Sequence, residues 1–207
     1  MTRLEGDTPR RDEYRTIAGL HAAGITEGFL STLGEPFLAA LYRGIAGGRD
    51  SGVIVARENG RVLGFISWAR DVKGCYRSVL LRRGLALAWA LLPNALRPAF
   101  YRKVFQTLRY PADHGGLADG GAAAAPAIRP ELLSMAVSSE ARGKGVGKFL
   151  VAAVDDAMRG LGLPGYYVVT HAVDPRSTGF YAACGFAPTR TFTSHGKPMQ
   201  EFFKTLG

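Results

Sequence analysis

The stretch Arg142-Gly143-Lys144-Gly145-Val146-Gly147-Lys148 joins an apolar run to a long amphipathic pattern, and its reading decides the fold. Three glycines alternate with bulkier residues. Glycine lets successive backbone N–H groups converge on one point, and the helix that follows adds partial positive charge at its N-terminus. Arg142, Lys144 and Lys148 add full charges. The segment reads as a cradle for a diphosphate.

Two nucleotide loops are excluded by spacing. A P-loop needs a glycine five residues before its Gly-Lys pair and a Ser or Thr after it to hold magnesium. Here Arg142 stands at the first position and Phe149 at the last. A dinucleotide fingerprint needs GxGxxG after a first strand. Here the glycines are spaced two and two, in the last third of the chain.

Working outward, Phe149, Leu150, Ala153, Val154, Ala157, Met158 and Leu161 recur at three and four residues. That spacing predicts a helix from Val146 of about four turns. Upstream, Glu131-Leu132-Leu133-Ser134-Met135-Ala136-Val137 is almost continuously apolar and predicts a central strand. Downstream, strands are expected over Tyr166–Thr170, Phe186–Thr193 and Gln200–Lys204, with a short helix over Thr178–Cys184 stopped by Gly185. In the N-terminal part, Gly52–Arg57 and Arg61–Trp68 flank Asn59-Gly60, a strong signal for a tight hairpin. Residues 1–12 read as a tail and Tyr14–Ile17 as a short first strand. His21–Ile45 reads as broken helix, with Pro36 in a first turn and Gly44, Gly47 and Gly48 at its end.

The 207 residues suffice for a single domain, and 47% hydrophobic content supports a full core. No stretch of about eighteen apolar residues is present. No apolar run follows the first charges, so no signal peptide is expected. Cys75 and Cys184 form neither a metal-ligand spacing nor a disulfide framework, and no metal is expected. A reduced, cytoplasmic setting is the expectation. The net charge is +9 and the pI about 9.9. Such a surface attracts nucleic acid, anionic lipid or a polyanionic small molecule.

The charge is concentrated. No acid lies between Asp71 and Asp113, whereas Lys73, Arg77, Arg82, Arg83, Arg97, Arg102, Lys103 and Arg109 do. Residues 72–128 therefore read as a basic helical insertion, with helices punctuated by Pro93 and Pro98 and a Gly/Ala-rich loop over 114–127. Four roles stay open besides plain packing on the sheet: a lid, a site for an acidic acceptor, contact with an anionic membrane through 77–109, and a homodimer interface. Nucleic acid is not the expected partner.

Two blocks carry a family resemblance. Val137 to Gly147 resembles the Arg/Gln-x-x-Gly-x-Gly/Ala signature of the GNAT superfamily of N-acetyltransferases. Asp174-Pro175-Arg176-Ser177-Thr178-Gly179-Phe180-Tyr181-Ala182-Ala183-Cys184-Gly185-Phe186 resembles the family's second block, Asn-x-x-Ala-x-x-Phe-Tyr-x-x-x-Gly-Phe. Asp174 and Ser177 stand where Asn and Ala are usual. The likeness is good over 131–206, plausible over 10–70, and absent from 72–128.

The resemblance implies an α/β fold: a mixed, mostly antiparallel twisted sheet of about seven strands flanked by helices, here with the insertion between the third and fourth strands. It implies acetyl-CoA as co-substrate, a small-molecule amine or amino sugar as acceptor, and direct transfer without an acyl-enzyme. Carried onto this chain, it gives Met135, Ala136 and Val137 the pantetheine arm. Arg142, Gly143, Lys144, Gly145, Val146, Gly147 and Lys148 would take the diphosphate, and Asp174, Ser177 and Phe180 further cofactor contacts. A backbone N–H near Ala136 or Val137 would stabilise the oxyanion. Tyr181 becomes the general-acid candidate and Glu131 the base candidate, with His171 and His195 as other bases. The alternative is a non-catalytic module that binds CoA, or that uses the basic insertion on membrane or nucleic acid.

Overall fold

The computed structural model describes residues 4–25, 29–92, 128–194 and 196–207. Seven strands form one sheet: β1 (Glu5–Asp7), β2 (Ser51–Glu58), β3 (Arg61–Ala69), β4 (Glu131–Val137), β5 (Gly165–His171), β6 (Ala187–Ser194) and β7 (Lys197–Thr205). Their order is β1-β2-β3-β4-β5-β7-β6. Every pairing is antiparallel except β4 with β5. The described α-helices are α1 (Glu13–Gly24), α2 (Glu35–Ala46), α3 (Val72–Leu91), α4 (Val146–Gly160) and α5 (Pro175–Ala183).

The hairpin forms as its turn dictates. Asn59 (φ 51°) and Gly60 (φ 77°) both take positive φ, which suits the right-handed twist of β2 and β3. Two apolar layers cover the sheet. On one face, Leu150, Val151, Val154 and Met158 of α4 pack on Leu63, Trp68, Leu132 and Val168. On the other, Ile17 and Ala18 of α1 and Leu38, Leu41, Tyr42 and Ile45 of α2 pack on Val53, Val55 and Phe65. α3 lies against α2 and buries Cys75, Val79 and Leu87.

Two N-terminal expectations are corrected. Tyr14–Ile17 is not a strand but the first turn and a half of α1. Ile17, Ala18 and His21 share its buried side, and the Glu13 carboxylate accepts from the Arg10 N–H at 2.6 Å. The edge strand lies instead in the supposed tail, where Glu5–Asp7 pairs with Val55–Arg57. Buried Arg57 ties the two together: it donates to both oxygens of Glu13 (2.7 and 2.6 Å) and to the Thr8 carbonyl (2.9 Å). Such a tertiary pair leaves no periodic trace in sequence. The broken helix of 21–45 resolves into the end of α1, a 3-10 turn at Phe29–Leu33, and α2 with Pro36 in its first turn and Gly47 after its last. The second basic helix and the Gly/Ala loop expected over 93–127 lie outside the described residues.

Candidate active site

The parallel pair β4–β5 is joined only at Glu131↔Tyr167 and Leu132↔Val168. Beyond Leu132 the strands part, although β4 stays paired with β3 as far as Val137. The cause is a bulge in β4. Trp68 pairs with Leu132 and Ser67 with Ser134, so Leu133 is an extra residue. A bulge bends its strand and reverses which backbone groups face which neighbour. The Ser138 N–H donates to the Leu63 carbonyl at 2.8 Å, which sets the phase of the ladder. Ala136 then bonds towards Phe65 of β3, while the N–H and C=O of Met135 and Val137 point into the split. The expectation for Ala136 is corrected on this ground: its N–H belongs to the β3 ladder. Its methyl packs under α1, where a Cβ on Gly24 would lie 3.1 Å away.

β4 leads through a 3-10 turn (Ser139–Ala141) into the glycine segment. Gly143 and Gly145 take φ of 76° and 82°, and nothing lies within 4 Å of a Cβ built on either. Both positions are therefore open and left-handed, a conformation that favours glycine. The N–H groups of Arg142 and Lys144 are used inside the turn, bonding Ser139 and Ala141 carbonyls at 3.4 Å. Those of Gly143, Gly145, Val146, Gly147 and Lys148 have no backbone partner among the described residues. α4 has no side-chain cap and no acid in its first turn. The other four described helices each carry one there or at the cap: Glu13, Glu35, Asp71 and Asp174. Exposed Arg142, Lys144 and Lys148 surround the bare amides of α4.

α5 closes this end. A Cβ on Gly147 would lie 2.9 Å from the Phe180 ring, so glycine is what lets α5 approach α4. Tyr181 is buried in the same layer, with Phe180, Phe186 and Phe202 around its ring. Burial raises its hydroxyl pKa above the ordinary 10.0. Asp174 and Ser177 turn out differently placed from the other candidates. Asp174 caps α5, accepting from the Arg176 N–H at 3.0 Å and the Ser177 hydroxyl at 2.5 Å. Both side chains are spent on the cap, and an ionised Asp174 does not suit an anion site.

Glu131 lies at the closed end of the split. Its cross-strand partners are Ala69 and Tyr167, so it faces the α1–α2 side, opposite Tyr181. Burial pushes its carboxyl up to about 7, against the opposing pull of Arg129. Arg129 Nε is 3.5 Å from Glu131, its guanidinium also binds Glu201, and it stacks 4.2 Å over the Tyr167 ring. Glu201 takes further bonds from Thr189 (2.9 Å) and Arg190 (3.2 Å). Sequence reading missed Arg129 and Glu201, whose pairing spans 72 positions. It also missed buried His21 and Tyr42 beneath β4, hydrogen bonded at 2.5 Å. Burial lowers the His21 pKa to about 4, so its ring is neutral. His171 ends β5 opposite Met199, and His195 lies outside the described residues.

Two open depressions, of about 480 and 580 Å³, flank the exposed Arg61–Glu140 ion pair. The first touches Lys144 and Val146; neither includes a residue of β5. Among the described residues, no group of three His, Cys, Asp or Glu side chains is placed to hold a metal.

The model of the Acetyltransferase (GNAT) family matches residues 25–186. No curated protein sequence matches. Solved structures share the fold at low identity. One acetyltransferase crystal structure has 17% identity and a TM-score of 0.60, covering 98% of this chain and 100% of its own. The yncA protein of Salmonella typhimurium, solved with its cofactor acetyl-CoA, has 16% identity and a TM-score of 0.59, covering 99% and 94%. A spermidine N-acetyltransferase SpeG chimera from Vibrio cholerae and hSSAT has 14% identity and a TM-score of 0.61, covering 98% and 95%. Since the family model spans most of its length, the chain belongs to the acetyltransferase (GNAT) family.

Proposed function

We propose that the protein transfers the acetyl group of acetyl-CoA directly onto a primary amine of a small molecule or amino sugar. One observation carries the reading: the β4–β5 split opens beneath a helix N-terminus whose amides have no backbone partner among the described residues and whose neighbours are basic. The fit to the donor is chemical. Five amides from Gly143 to Lys148, three cations and the helix dipole suit a diphosphate. Inward-facing backbone groups of Met135 and Val137 suit an arm rich in amides. Two structural relatives support the ligand class, since one was solved with acetyl-CoA and another is named for spermidine.

Bound there, acetyl-CoA supplies a thioester whose carbonyl carbon an amine attacks. The Val137 N–H would donate to the carbonyl oxygen as negative charge develops. Tyr181 would give its proton to the leaving thiolate sulfur. Glu131, with its pKa near 7, would take a proton from the ammonium form of the acceptor, directly or through water. Acid and base candidates then stand on opposite faces of the sheet, with Glu131 at the closed end of the split. The test is free-thiol release from acetyl-CoA across a broad panel of amines and amino sugars. Amine-dependent release with acetylated product supports the reading; no release with any amine refutes it.

A further inference from the structure

α3 is apolar on two sides. Cys75, Val79 and Leu87 pack inward, yet Leu81, Leu85, Trp89 and Leu92 line the opposite side. At 3.6 residues per turn these four form one stripe. Leu81 is 78% exposed, Leu85 83% and Trp89 73%. Arg77 and Arg82 lie along its two flanks, Lys73 precedes Arg77 by one turn, and the helix holds no acid. Arg82 also donates to the Gly47 carbonyl, and Arg83 lies on the inward side against Gly44. A contiguous apolar patch of this kind on a soluble surface marks an interaction site.

We infer that this face of α3 seats the protein on an anionic lipid surface, with the leucines and Trp89 in the headgroup boundary and the cations against lipid phosphates. Charge and shape select this occupant. A second copy of the chain would bring two acid-free basic helices together, like charge against like. Nucleic acid would engage the arginines but leave the aliphatic stripe in water. An anionic bilayer satisfies both, as basic amphipathic helices do when they lie in an interface. Contact along the surface is what α3 permits, since no described helix is long and apolar enough to cross a membrane. The inference stands apart from the donor-site reading, because no α3 residue belongs to that site.

The experiment is co-flotation of the full chain with phosphatidylcholine vesicles, with and without phosphatidylglycerol. The expected result is flotation with the anionic vesicles only, reduced about tenfold at about 1 M salt, where screening shortens to about 3 Å. Combined Leu81→Glu, Leu85→Glu and Trp89→Glu should abolish flotation while melting temperature and acetyl-CoA affinity hold. Lys73→Gln with Arg77→Gln should weaken it by a smaller factor. Wild-type protein that stays with the buffer, or floats equally on neutral vesicles, overturns the inference. So does a dimer that the triple variant dissociates, retention on DNA without flotation, or a triple variant that melts early because the chain itself covers this face.

Discussion

The Phe180 ring packs against the first turn of α4 so closely that a Cβ on Gly147 would lie 2.9 Å from its Cε2. The two motif blocks of the sequence meet at this contact. Gly147→Ala should displace the ring and destabilise the protein by about 1–2 kcal/mol, as overpacking does. Adding Phe180→Leu should restore most of the loss. Denaturant unfolding of both variants checks it; if the single variant is as stable as wild type, the glycine does not serve this contact.

Glu13 and Arg57 form a buried bidentate pair joining α1 to β2. Glu13→Gln strands a buried guanidinium and should cost about 3–5 kcal/mol at neutral pH. The Arg57 hydrogen bond is the main cause holding the Glu13 carboxyl below its ordinary 4.5. Its stabilisation is therefore present above that value and lost as pH falls through the lowered one. Wild-type stability should drop on acidification in that range, and the variant should show a shallower drop.

For Glu131 the sign reverses. Burial raises its carboxyl from 4.5 to about 7. The folded state then binds the extra proton between those values, so this group's stability contribution is full below 4.5 and lost as pH rises towards 7. Glu131→Gln should remove that slope and leave the protein more stable at pH above about 7. If Glu131 is the base, the same change should lower kcat by about a hundredfold or more and erase the ascending limb of the pH–rate profile. A stability change with an intact limb assigns Glu131 a structural role.

How much of this was legible depended on range. The α4 pattern, the Asn59-Gly60 turn and β4 are local in sequence, and each appears where its spacing indicates. The split is a consequence of one extra residue, Leu133, whose apolar side chain looks like any other in that run. Only pairing with β3 reveals it, and with it the exclusion of the Ala136 N–H. The motif position of Asp174 and Ser177 points to a cofactor role, whereas their spacing of three is also that of a helix cap. Glu131 was visible; its raised pKa was not, because burial and the Arg129–Glu201 pairing are tertiary.

Tyr181→Phe keeps every ring contact in the α4–α5 layer. It should leave melting temperature and acetyl-CoA affinity unchanged and lower kcat by about a hundredfold. Steady-state kinetics alongside calorimetry separates the two; undiminished kcat removes Tyr181 as the acid.

The amides at the start of α4, without a backbone partner among the described residues, are proposed to hold the diphosphate of the acyl donor. Gly145→Asp tests this without touching the core, since nothing lies within 4 Å of a Cβ there. The new carboxylate would place a negative charge beside those amides, in a left-handed position that adds local strain. Titration calorimetry of acetyl-CoA into wild type and variant is the direct measurement. Wild type should bind saturably, and the variant, which stays folded, should lose at least about a hundredfold in affinity. Equal affinity in both proteins would contradict that role for the amides.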